Sequence, residues 1–175
     1  MDTLQDGKMR YYWDRVRHHG ARYAKFHWPS VEVILNLVYT YDVALNHFAK
    51  RMSKIGLSPS AFNVLMILSR HDEKSCKQRD LSKLMLVSRA NITGLVDSLA
   101  KRGLISRAPD KTDRRVCIVR MAKKGERLLE QFLPSHYEEM RRILSNLTPA
   151  EEKTLTALLS KLRSLFWQQK KEGRP

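Results

Sequence analysis

Cysteine is scarce in this chain of 175 residues: Cys76 and Cys117 are its two, too few for a disulfide framework. Long apolar runs are missing as well. A run such as Val64-Leu65-Met66-Ile67-Leu68 falls far short of the roughly 18 residues a membrane span needs, so no membrane partner is expected. The opening Met1-Asp2-Thr3-Leu4-Gln5-Asp6 lacks the basic start and apolar stretch of a secretory signal. The seven glycines are all isolated, which excludes a phosphate-cradling loop. Neither G-x-S-x-G nor H-E-x-x-H occurs, and the six histidines never stand at H-x-x-x-H spacing. Catalysis, a metal and a cofactor are therefore not expected. These absences describe a soluble, cytoplasmic protein.

What the chain has is positive charge: 33 Lys and Arg against 18 Asp and Glu, a net charge of +15. The excess is local. Residues 77–127 carry 14 basic and 5 acidic groups, whereas 128–169 carry 5 of each. Phosphate contacts need Lys and Arg gathered on one surface, and a local block is one way to gather them. Polyanions are the partners this distribution suits, double-stranded DNA in a nucleoid setting among them. A solvated basic face without a partner is the plainer reading of charge alone.

The pattern divides the chain into five stretches. Residues 1–29 are aromatic and basic but irregular in period. Over 30–56, apolar residues at 31, 34, 35, 38, 41, 45, 48 and 52 predict a long amphipathic helix ended by Gly56. In 57–121, Ser58-Pro59 starts a helix, and polar residues 69–79 read as a connection. A short helix follows around Leu81, then a second helix from Ser88 with an apolar face of Ile92, Leu95, Val96 and Leu99. Gly103 closes it. Two short strands, 104–108 and 116–121, flank a charged loop. In 122–170 the helical period returns, with a kink or a break expected at Pro134 and a capping box at Thr148-Pro149-Ala150-Glu151. Residues 171–175 are a basic tail.

Helix, turn, helix and hairpin in this order describe a mainly α (α+β) fold: a winged helix-turn-helix between long N- and C-terminal helices. The second helix of such a motif lies in the major groove with its N-terminal part toward the bases. Its outward residues are Ser88, Arg89, Ala90, Asn91, Thr93, Gly94 and Asp97. Arg can read guanine and Asn adenine through paired hydrogen bonds. Gly94 costs about 1 kcal/mol in a helix interior, consistent with close approach to DNA. In the wing loop, Lys111, Asp113, Arg114 and Arg115 carry the chemistry. Asp113 is expected to hold Arg115 in a bidentate pair, leaving Arg114 to enter the minor groove.

The run from Leu81 to Leu99, with Lys101-Arg102-Gly103-Leu104-Ile105, Asp113-Arg114-Arg115 and Met121 to Leu129, resembles the multiple-antibiotic-resistance-regulator (MarR) family of bacterial winged-helix transcription factors. The resemblance implies a homodimer whose first and last helices interleave, two lobes on a palindromic operator, and repression relieved by a small ligand, often an aromatic acid. The apolar character of 31–56 and 128–169 agrees with dimerisation helices. Tyr23, His27, Tyr41 and Arg70 are candidate ligand groups, aromatics for stacking and cations for a carboxylate. Residues 1–29 could cover the ligand crevice; their aromatics could equally widen the dimer interface. Lys74 and Lys77 flank Cys76 and would lower its pKa if the thiol were exposed, the condition for an oxidant sensor. The alternative function is a constitutive architectural or protein-interaction winged-helix module without an effector.

Overall fold

In a computed structural model, which describes residues 4–71, 73–85 and 92–171, the chain forms seven helices and three strands among the described residues. Helix α1 (Leu4–Gly20) packs on α2 (Trp28–Ser53). The Arg17 guanidinium lies over the Trp28 ring, 5.6 Å from its centroid, and helps to fix this joint. Helix α2 ends in a Schellman turn. Gly56 takes φ +71°, its N–H reaches the Ser53 carbonyl at 2.9 Å, and Leu57 N–H reaches Met52 at 3.0 Å. Helix α3 (Pro59–Ser69) starts as its sequence dictates: the Ser58 hydroxyl accepts the Ala61 N–H at 3.1 Å.

Strand β1 (Ser75–Lys77) leads directly into α4 (Gln78–Leu84), and α5 (Ile92–Lys101) follows. Gly103, at φ +68°, repeats the Schellman pattern, with Leu104 N–H reaching the Leu99 carbonyl at 3.1 Å. Strands β2 (Ile105–Pro109) and β3 (Cys117–Met121) pair antiparallel from Ile105 opposite Met121 to Pro109 opposite Cys117. The sheet order is β1-β3-β2. Helix α6 (Lys123–Ile143) approaches the start of β2 closely at Gly125, where a Cβ would collide with the Leu104 carbonyl oxygen. Helix α7 (Pro149–Lys171) opens on the expected capping box: Thr148 N–H and hydroxyl both donate to Glu151 Oε2 at 2.8 Å.

The core belongs to the winged lobe. Leu65, Leu68, Leu81, Val96, Leu99 and Val119 interlock there with almost no exposure. Truncating any of these leucines to alanine costs about 2–5 kcal/mol. The outer helices are different. Val33, Ile34 and Val38 on α2 are exposed, as are Leu155, Leu158, Leu165, Phe166 and Trp167 on α7.

Three expectations are corrected. Residues 4–20 are helical, not irregular: Met9, Trp13 and Val16, at i, i+4 and i+7, are half-buried on one side of α1. The connection 69–79 contains β1, which pairs with β3 from Ser75 opposite Arg120 to Lys77 opposite Ile118 and satisfies backbone groups on an edge that would otherwise be open. Of the kink or break expected at Pro134, the break is absent: α6 runs unbroken through it.

Candidate nucleic-acid interface and ligand cavity

The apolar face of α5 anchors it as its spacing predicts. Val96 and Leu99 are buried, and Ile92 and Leu95 pack partly against the same core. Thr93 is exposed and accepts a hydrogen bond from Gln78 Nε2 at 3.2 Å, tying α5 to the first turn of α4. Gly94 is half-buried. Ser88, Arg89, Ala90 and Asn91 lie outside the described residues. Asp97 is not a free outward group: its carboxylate takes the Arg107 guanidinium from β2, which locks α5 to the base of the wing.

The wing loop is organised by Asp110, which sequence reasoning passed over. Its Oδ1 accepts the N–H of Thr112 at 2.8 Å, the Thr112 hydroxyl, and the N–H of Asp113 at 3.2 Å. These bonds, the Thr112 hydroxyl first, hold the Asp110 carboxyl at a pKa of about 2. The signal was available: Asp at the first position of a turn bonds the backbone two residues on. Asp113 acts differently from expectation. It accepts the backbone N–H of Arg115 at 3.0 Å, so the chain geometry and not a bidentate guanidinium pair sets this corner. Lys111, Arg114 and Arg115 are all exposed on the loop. Exposed cations on a fixed loop beside a helix-turn-helix can contact phosphates and enter a groove.

A cavity of about 390 Å³ lies between α2, α3 and α6. Tyr41 and Arg70 line it, together with Phe48, Phe62 and Met66. Tyr23 and His27 are elsewhere: Tyr23 is exposed in the α1–α2 connection, and His27 Nδ1 meets the Ser30 hydroxyl at 2.8 Å at the start of α2. Asn63 and His136, which are not among the candidate ligand groups of the sequence, line the cavity as well. His136 follows Phe132 by four residues on the apolar face of α6, a spacing that marks it as inward. Beside it, the buried Glu139 accepts from His47 Nε2 at 2.7 Å and from Arg142 Nε at 2.9 Å. The Arg142 bond, then that of His47, keeps its carboxyl near 2. A second cavity, about 510 Å³, lies between α1 and α2 and is lined by Trp13, Tyr12 and Leu35 among others.

The profile of the MarR family matches residues 55–116. The HTH-type transcriptional repressor YetL of Bacillus subtilis is 30% identical over 150 residues, covering 84% of this chain and 88% of its own. The chain belongs to the MarR family. BpsR of Bordetella bronchiseptica, whose DNA binding is regulated by 6-hydroxynicotinic acid, is 26% identical with a TM-score of 0.62, over 77% of this chain and 98% of that one. Sco3205, a MarR family regulator of Streptomyces coelicolor in complex with DNA, shares the fold. Its TM-score is 0.70 at 19% identity, over 75% of this chain and 83% of that one.

As a MarR-family protein this chain is a DNA-binding transcriptional regulator and not an enzyme. Its winged helix-turn-helix is the fold the sequence pattern gives. Among the described residues no cluster of metal-ligating side chains is present, and no helix is long and apolar enough to cross a membrane. The exposed thiol that an oxidant sensor at Cys76 would need is not what the structure has. The thiol is half-buried on β1, and burial, then the Asp80 charge, pushes its pKa up, against the effect expected of the flanking lysines.

Proposed function

We propose that this MarR-family regulator is a homodimeric repressor that binds a palindromic operator and is released by a small aromatic acid. The observation that carries the reading is the cavity itself. It sits where α2 and α6 meet α3, the first helix of the winged lobe, with Arg70 and Tyr41 on its wall. A ligand that binds better to one arrangement of these helices shifts the population toward it and changes the spacing of two DNA-reading lobes.

Dimerisation is supported by the apolar side chains that α2 and α7 expose in a single chain, an area that a folded monomer rarely leaves to water. DNA reading is assigned to Ser88, Arg89, Ala90, Asn91, Thr93 and Gly94 in the groove and to Lys111, Arg114 and Arg115 on the wing, with Asp113 shaping the loop. Ligand binding is assigned to Tyr41 and Arg70. The regulation of BpsR by an aromatic acid supports the effector class. The work of such a protein is cytoplasmic.

The test is fluorescence anisotropy of the purified chain on DNA from its own upstream region, titrated with a panel of aromatic acids. Release by at least one acid is expected. Undiminished binding across the panel would favour the constitutive module.

A further inference from the structure

Among the described residues, two buried polar atoms without a hydrogen-bond partner belong to side chains lining the same cavity. They are Nδ2 of Asn63 and Nδ1 of His136. His136 is only 3% exposed. Its imidazole stacks on Phe132 at a centroid distance of 5.3 Å and meets Phe48 and Phe62 edge-on at 5.4 and 5.1 Å. Phenylalanine would complete this aromatic cluster without burying an unsatisfied nitrogen, so histidine here works against stability. A native chain that keeps such a group has a use for it. Burial, then the Arg51 charge, lowers the pKa of His136 below the ordinary histidine value. The ring is therefore neutral near pH 7 and offers one N–H and one lone pair.

Asn63, Met66 and Arg70 stand at i, i+3 and i+7 and share one face of α3 and its C-cap. Seven residues of helix separate the amide from the guanidinium by about 10 Å along the axis, a gap the long arginine side chain can shorten. The wall between them is aromatic and aliphatic. The cavity thus combines a polar pair, an apolar middle and a cation.

We propose that Asn63 and His136 form a hydroxyl-recognition subsite that sets effector specificity. The ligand hydroxyl donates to the imidazole lone pair and accepts from the Asn63 amide. A hydroxyl is both donor and acceptor, so one group satisfies both orphans. The effector is then an aromatic acid that carries a hydroxyl away from its carboxylate, with the carboxylate toward Arg70. This assignment rests on the reading of the cavity as the effector site.

Calorimetric titration of the full chain with para-hydroxybenzoate and para-toluate, which differ in hydroxyl against methyl, tests it. The wild-type protein is expected to prefer the hydroxy acid by about tenfold or more. H136F and N63L are each expected to bring that ratio to about one while raising the Tm of the ligand-free protein, because an unsatisfied buried group has gone. R70M is expected to weaken both acids and keep the ratio. Equal wild-type affinities, a ratio that survives H136F and N63L, or a lowered Tm in both variants overturns the subsite and leaves the cavity reading standing. If neither acid binds, or R70M changes neither, the cavity reading fails and the subsite with it.

Discussion

The side-chain amide of Gln78 donates to the hydroxyl of Thr93 across 3.2 Å, joining the first turn of α4 to the exposed face of α5. The bond fixes how the second helix of the helix-turn-helix sits against the first, and hence the angle at which it meets a groove. Q78L is expected to weaken operator binding several-fold with an unchanged salt dependence, since no phosphate contact is lost. Anisotropy at several salt concentrations reads both quantities. A reduced slope would make Gln78 a contact instead of a positioning residue.

Arg114 should behave in the opposite way. It is exposed on a loop that Asp110 and Asp113 hold through backbone N–H groups. R114A is expected to weaken binding and to lower the salt slope by about one. D110A leaves every wing cation in place but frees the loop. It is expected to weaken binding and keep the slope, and a D110A protein that binds like wild type would remove the need for a rigid wing.

Glu139 gives the pH dependence a sign. Its carboxyl is held near 2 in the folded chain, against an ordinary value of 4.5, chiefly by the Arg142 hydrogen bond. The folded value is the lower one, so its contribution is complete above the ordinary value and is lost as pH falls toward about 2. Wild-type Tm is expected to fall more steeply than that of E139Q across this window. Parallel curves in a thermal scan would show that the cluster does not contribute.

The proposed dimer is assigned to α7. Leu158 and Leu165, seven residues apart, lie on one face, and both are exposed in the single chain. The double variant L158E/L165E is expected to elute as a monomer in gel filtration and to lose affinity for a two-half-site DNA. A variant that stays dimeric would place the interface elsewhere.

The helix boundaries were legible where the chemistry is local. Ser58 with Pro59, Gly56, Gly103, and Thr148 with Glu151 each fix a terminus through bonds spanning five residues or fewer, and the structure forms all of them. The three residues of β1 carry no such signal; their reason to exist is the open edge of β3, over forty residues away in sequence. The period of α1 was present in Met9, Trp13 and Val16 but was masked by the surrounding aromatics, several of them exposed. The cavity was the least legible feature. The chemistry of Arg70 and Tyr41 is visible in the sequence, whereas Asn63 and His136 matter only because α3 and α6 pack to bury them.

In the proposed dimer, two copies of the α4–α5–wing unit read DNA together. Selection of bound sequences from a random double-stranded DNA library by the purified chain tests it most directly. Enrichment of an inverted repeat with half-site centres about one helical turn apart, roughly 10 base pairs, is expected. Enrichment of a single unrepeated site, or of no sequence at all, would contradict it.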